Sequence, residues 1–429
     1  MFNTGFSFSL YVLGSLAFFL DFIDIMVRLY LRRGQTLPLT RVQVPPTSVP
    51  LNVGEFTPYE VRFHLRPYAI LVSVHNAAAE LDRFLKFIEP FREHVWVIDD
   101  ASDDDTWARL CRAGVKCVQG GRNRHKPGAI RTLLTTLPPE IATVIVIDPD
   151  SRIITGLAEV EHVLFEFQRS EMAALCPRIT IRPDGWLTRI QRLEYWLAFS
   201  LGRKSLADCS ITSGIAVYRR DALQQVFERH SLSVYAEDLE NALILLSKNE
   251  RVYYDGRLVV ETDGMRELRR LFSQRVGWHF GLIKVYVEHW RTIVRNTRPG
   301  FVFRYQFLVY MGLFVLMLHP LKLLSLPLVI LSALNGLDSL AGQNLVPDTA
   351  LTNPVYFGAL YVKYSLLILF VIPLAVGKKD RLAVLPVVPF YVFYALGQIV
   401  PATVGYANWF AVRIWGRRVY RDHYQPAQP

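Results

Sequence analysis

Cysteine is scarce in this sequence, with four among 429 residues. Cys111, Cys117, Cys176 and Cys209 form no C-x-x-C pair and stand away from histidine clusters. That spacing argues against a disulfide framework or a zinc site and predicts reduced thiols in a cytosolic compartment. Nucleic-acid signatures are missing as well: there is no zinc-finger spacing and no aromatic RNP pattern. The formal net charge of +10 therefore points to anionic lipid or a phosphorylated ligand rather than nucleic acid. Internal repeats and low-complexity stretches are also lacking.

Apolar residues are abundant, at 51% of the chain with a mean hydropathy of +0.21. The excess sits at the two ends. Residues 6–27 form an apolar run about long enough to cross a bilayer, interrupted by Asp21 and Asp24. Arg28, Arg32 and Arg33 follow the run, and no A-x-A cleavage site accompanies it. A secretory signal carries its charge before the apolar stretch. Residues 1–33 therefore read as an uncleaved anchor, with the basic flank and the following domain in the cytosol. The proline-bearing stretch 34–67 reads as a linker.

Residues 301–410 are apolar again, with spans expected near 303–320, 322–340, 355–376 and 383–405. Prolines bound or interrupt them, which membrane helices tolerate. The first two spans also fit one tilted or interfacial helix. Four crossings place the basic tail 411–429 in the cytosol and Lys378–Arg381 on the opposite side, against the positive-inside tendency. The layout predicts a multi-pass protein of the plasma (inner) membrane with the bilayer as a partner.

Between the ends, residues 68–300 have the mixed composition of a globular domain. Tyr68–Val74, Val95–Asp100 and Thr143–Asp148 are short apolar, β-branched runs. Segments of helical spacing lie between them, such as Leu81, Leu85 and Ile88. Strands alternating with helices predict an α/β domain with a mostly parallel sheet covered on both faces. Two runs end in aspartate, and ligands of such sheets bind at the carboxyl ends of strands.

Four constellations carry chemistry. Asp148-Pro149-Asp150 offers two carboxylates to a hard cation; a solvated turn would look the same. Asp99-Asp100-Ala101-Ser102-Asp103 can accept bonds from ribose hydroxyls or a base N–H, and Ser102 or Asp103 can equally cap a helix through Trp107 and Leu110. Glu237-Asp238-Leu239-Glu240 can supply a general base or be the acidic first turn of a helix. Gln274-Arg275-Val276-Gly277-Trp278 pairs a cation suited to diphosphate with a ring suited to a sugar face, and also fits an interfacial helix.

In this order, these elements resemble the family-2 glycosyltransferases of the membrane polysaccharide synthase type, such as cellulose, chitin and hyaluronan synthases. The resemblance covers about residues 68–290 by motif. It implies a GT-A-like nucleotide-sugar-binding domain and an inverting, nucleotide-sugar-dependent hexosyltransferase. Asp238 is the implied general base. His75, Asn76, Asp100, Lys126, Asp148, Asp150 and Arg275 are implied at the donor, a UDP-sugar. Glu237, Gln274 and Trp278 are implied at the acceptor, a growing polysaccharide. Asp148 and Asp150 are implied ligands of Mg2+ or Mn2+. Lys126-Pro127-Gly128-Ala129 is similar to the family's K-x-G-A segment, and Ser213–Arg220 resembles the stretch before the base.

Departures from the pattern keep other readings open. Ser73-Val74-His75-Asn76-Ala77 stands where P-x-Y-N-E is usual, and K-x-G-A-x-N ends in Arg131. Gly277 takes the place of the arginine in Q-x-x-R-W. A single-transfer enzyme acting on a lipid and a catalytically inactive membrane scaffold are the alternatives. Filling the charge gap at Gly277 requires Arg275 to turn inward from a non-helical stretch, because positions two apart on a helix point about 200° from each other.

Overall fold

A computed structural model describes residues 22–33, 64–295, 300–343, 353–378, 380–422 and 424. Most of the expected anchor and linker, residues 1–21 and 34–63, lies outside the described residues.

The expected strands form as β1 (Tyr68–Val74), β2 (Val95–Asp99) and β4 (Thr143–Ile147). They are joined by β3 (Lys116–Gln119), β5 (Arg152–Ile153), β6 (Met172–Ile181), β7 (Ala216–Arg219) and β8 (Arg251–Thr262) in one sheet of order β3-β2-β1-β4-β7-β6-β8-β5. The β3-β2-β1-β4 half is parallel throughout. β7 inserts antiparallel between β4 and β6, and β5 pairs antiparallel with β8, while β6 and β8 run parallel. The sheet is thus mostly, and not wholly, parallel.

Strand alternation builds a core on each face. Ala69 and Leu71 of β1 pack on one side with Ala129, Ile130 and Leu133 of α3 (His125–Thr136). Ile70, Val72 and Val74 pack on the other with Leu81, Phe84 and Ile88 of α1 (Leu81–Ile88) and Val160, Val163 and Leu164 of α4 (Leu157–Gln168). Between them in sequence, α2 (Thr106–Ala113) follows β2. Its N-cap is Asp105, with no side-chain capping bond, so neither Ser102 nor Asp103 caps it; Asp104 Oδ1 accepts from the Thr106 N–H at 3.0 Å. The domain continues through α5 (Trp186–Trp196), α6 (Arg220–Phe227), α7 (Glu237–Ser247) and the long α8 (Leu268–Glu288).

Among the described residues, three helices are long and apolar enough to cross a membrane: α9 (His319–Leu340), α10 (Pro354–Ala375) and the bent stretch Arg381–Trp415. Phe301–Met317 is apolar but shorter, so the first of the four expected spans falls short. The last stretch runs to Trp415, beyond the boundary expected at 410. It also begins and ends against the globular domain. At its start Arg192 donates to Asp380 at 2.8 Å, and Trp196 packs on Gly377. At its end the tail reaches Tyr235. Lys378, Asp380 and Arg381 are thus held close to the globular domain through Asp380.

Residues 22–33 are helical. The acid that interrupts the apolar run is paired: Arg28 Nε donates to Asp24 at 2.8 Å, Tyr305 donates to Asp24 at 2.7 Å, and Arg28 reaches Gln306 and Ser205. Burial of both charges is compensated within this network.

Candidate active site

The carboxyl ends of β1 and β2 are knitted together by short polar contacts. His75 Nδ1 lies 3.1 Å from the Asp100 carbonyl. Asn76, at φ +51°, donates its N–H to Ser102 Oγ at 2.9 Å and accepts from the Asp103 N–H at 2.8 Å. Ser102 in turn donates to buried Asp99. Both oxygens of buried Asp100 accept from the Arg124 N–H, at 2.9 and 3.0 Å. Burial raises the Asp100 pKa, and the Arg124 N–H works against that rise. Asp100 thereby fixes the residue that opens α3.

One residue into α3, Lys126 reaches across to β4. Its ammonium donates to Asp148 and, at 2.6 Å, to the Gly214 carbonyl, and lies 3.8 Å from Glu237. Burial disfavours this ammonium, but Asp148 and Glu237 outweigh burial and hold its pKa above the usual value. Gly214 leaves room for this pair: an added Cβ would sit 3.1 Å from Lys126 Nζ and 3.3 Å from Asp148 Oδ2 and would press on both side chains. Asp150 accepts from Ser151 Oγ at 3.0 Å and from Thr262 Oγ1 at 3.1 Å. Burial, with Asp148 next to it, pushes the Asp150 carboxyl up to about 6.

Glu237 and Asp238 open α7 behind Ala236, which is left-handed at φ +53°. Burial raises both pKa values. Glu237 reaches about 7, with Lys126 opposing and Asp238 and Asp148 adding to the rise. For Asp238, Arg203 and the Leu239 N–H oppose the rise. The fourth residue of the acidic run has a different place. Glu240 accepts from the Ser231 N–H at 2.8 Å and its hydroxyl at 2.6 Å, and faces His230 and His289 at 3.5 Å each. Lys126, Asp148 and Glu237 are thus in direct contact, with Asp150 and Asp238 adjacent in sequence and coupled electrostatically. Asp100 joins them through Arg124 and α3.

The Gln274–Trp278 segment differs from expectation. α8 is helical throughout, so no irregular stretch surrounds Arg275. The Arg275 guanidinium is buried; it donates to Glu194 and, at 3.2 Å, to Tyr394, and lies 3.9 Å from the Trp278 ring centre. It ties α8 to α5 and to the helix after residue 381. Gln274, half-buried, precedes it on α8, and Trp278 is 36% exposed.

The space beside Gly277 is occupied by the tail. An added Cβ would lie 2.7 Å from Tyr424 Cδ2 and 2.8 Å from its Cε2. Trp278 Nε1 donates to the Tyr424 hydroxyl at 3.2 Å. The tail is clamped by buried Asn408, which bonds Val419 and Tyr420 of the backbone, and by Asp422, which accepts from Tyr235 at 2.8 Å and pairs with Arg418. Burial, with Glu237 next, raises the Tyr424 phenol pKa, and the bond from Trp278 works against that rise. Nothing in the sequence signals this: one tyrosine among 20, in a basic tail, carries no motif. Arg203, Thr262 and Glu194 were likewise outside any motif.

The described residues contain no group of three or more His, Cys, Asp or Glu placed to hold a metal. Asp148 and Asp150 still suit a hard cation. Both offer only oxygen donors, and Mg2+ is commonly held by one or two carboxylates plus substrate phosphates. A cation there would also offset the burial, and after it the Asp148 charge, that raise the Asp150 pKa.

Residues 69–227 match the model of Glycosyl transferase family 2. Comparison with curated proteins gives no match. Among solved structures, the fold is similar to that of the mannosyltransferase PcManGT from Pyrobaculum calidifontis in complex with GDP-Man and Mn2+. The TM-score is 0.53 at 14% identity, covering 95% of this chain and 99% of that chain. Glucosyl-3-phosphoglycerate synthase from Mycobacterium tuberculosis gives a TM-score of 0.39 at 16% identity over 54% of this chain and 84% of that chain. GalNAc-T7 gives 0.37 at 12% identity, over 57% and 55%. The family match ends before Glu237, Asp238 and α8, so those roles rest on geometry and motif. Residues 69–227, which carry the match to Glycosyl transferase family 2, thus lie within a domain of GT-A-like fold.

Proposed function

We propose that the protein is an inverting glycosyltransferase that moves a sugar from a nucleotide diphosphate to an acceptor hydroxyl at a membrane surface. The observation that carries this is the convergence of Lys126, Asp148 and Glu237, with Asp150 and Asp238 beside them. Asp238 takes the proton of the acceptor hydroxyl. The acceptor oxygen forms its bond to the anomeric carbon as the bond to the diphosphate breaks on the opposite face. Asp100 holds the nucleoside side of the donor, with His75 and Asn76. Lys126 supplies fixed positive charge near the diphosphate. A divalent cation, Mg2+ or Mn2+, would be held by Asp148 and Asp150 and would neutralise the departing diphosphate. PcManGT binds GDP-Man with Mn2+, which supports a nucleotide sugar and a divalent ion here; a UDP-sugar is the donor we favour.

The acceptor we favour is a growing polysaccharide, on the strength of Gln274 and Trp278. A single-transfer enzyme acting on a lipid is the second reading. It is favoured by the tail, which lays Tyr424 against Trp278 and narrows the face a polymer would use. Sizing the product of purified protein separates the two: a ladder of lengths supports the polymer, and a single glycosylated lipid supports the alternative. Absence of donor turnover with every nucleotide sugar would leave only the inactive scaffold.

A further inference from the structure

A cavity of about 550 Å³ opens where the globular domain meets the end of α10. Its size falls within the roughly 300–1,000 Å³ of small-ligand sites. Asp100, Asp148, Asp150, Glu237 and Asp238 are all absent from its walls. Six cations line it: Arg32, Arg178, Lys204, Arg257, Lys378 and Arg381. The sole lining carboxylate, Asp255, already pairs with Arg257, which also pairs with Glu166. Arg381 is taken up by the carbonyls of Pro373 and Val376, and Arg178 lies 4.7 Å over Trp196. No carboxylate among the described residues forms an ion pair with Arg32, Lys204 or Lys378. Lys204 and Arg32 repel each other: burial first, then Arg32, lowers the Lys204 pKa, and Asp255 opposes this only in part.

Gathering unpaired cations costs free energy unless an anion shares them. The remaining wall decides what kind of anion. Pro373, Leu374 and Ala375, the end of a membrane-length apolar helix, close the cavity with Val376 just after them. Basic pockets of this kind, beside an emerging membrane helix, suit anionic headgroups.

We propose that this cavity binds the phosphate headgroup of an anionic membrane lipid, with Arg32, Lys204 and Lys378 as its principal ligands. The lipid's tails lie along α10, so the bound headgroup fixes the height and tilt of the domain over the bilayer. The inference rests on the membrane placement proposed above and is independent of the roles given to the acids. The test uses the full chain in nanodiscs of phosphatidylcholine alone or doped with phosphatidic acid, with retained lipid read by native mass spectrometry. Wild type should retain phosphatidic acid over phosphatidylcholine. Each cation removed should weaken retention about fivefold, so Lys204→Gln/Lys378→Gln should lose it nearly completely. The exposed Lys378→Gln change alone guards against misfolding and should show the single-cation loss. Asp238→Asn should retain the lipid fully while losing transfer, which separates this site from the reaction. Equal retention by both lysine variants would overturn the proposal. So would displacement of the lipid by soluble glycerol phosphate at matched concentration, which would mark a free-phosphate site.

Discussion

A carboxylate that accepts a proton from a sugar hydroxyl gains from a raised pKa, provided it is still ionised at working pH. Asp238 meets the first condition through burial, with Arg203 limiting the rise. Asp238→Asn should reduce kcat about 100- to 10,000-fold with donor affinity preserved, measured by turnover and donor titration. Transfer at the wild-type rate would remove Asp238 from the mechanism. The base works deprotonated, so kcat should fall as pH drops through its raised pKa. The acid limb should therefore lie above about 3.9, the ordinary aspartate value. Glu240, two residues on, behaves oppositely. Burial would raise its pKa, but His289, His230 and Ser231 outweigh burial and hold it down at about 2. A depressed carboxyl stabilises the fold above its unfolded value, and the contribution fades as pH falls towards about 2. Glu240→Gln should cost about 1–3 kcal/mol at neutral pH, measured by thermal unfolding, and should flatten stability between about pH 4.3 and 2. The acidic run read as one motif in the sequence; only the structure separates catalytic candidates from a structural acid, because the histidines that claim Glu240 are brought in by folding.

At the scale of elements, the strands and their terminal aspartates were legible because short β-branched runs bounded by acids have few other readings. The antiparallel β7 was not: Ala216–Arg219 is too short to declare its direction. α8 shows the same limit. Its helical spacing set Arg275 facing away from position 277, and the structure keeps it there, buried against Glu194 and Tyr394. Arg275→Ala should cost about 3–5 kcal/mol, as for breaking a buried pair, measured as a lowered unfolding midpoint in detergent. An unchanged midpoint with lost turnover would instead assign Arg275 to the diphosphate. Gly277 is explained by an element distant in sequence. An arginine side chain there would meet the Tyr424 ring, so Gly277→Arg should expel the tail and expose 417–424 to protease. An unchanged digestion pattern would contradict that packing.

At the scale of the whole molecule, hydropathy located the apolar segments but not their paths. Counting runs predicts alternating crossings but says nothing of the bonds by which Asp380 and Arg418, flanking Arg381–Trp415, reach Arg192 and Tyr235 of the domain. Such contacts join residues far apart in sequence, and periodicity carries no record of them. The central claim is that the converging acids and Lys126 turn over a nucleotide sugar. The most direct measurement is release of nucleoside diphosphate by the purified full chain in detergent, across a panel of nucleotide sugars with Mg2+ or Mn2+. The account predicts release with at least one donor, loss of that release in excess chelator, and loss in Asp150→Asn. No release from any donor, or release that survives both chelator and Asp150→Asn, would contradict it.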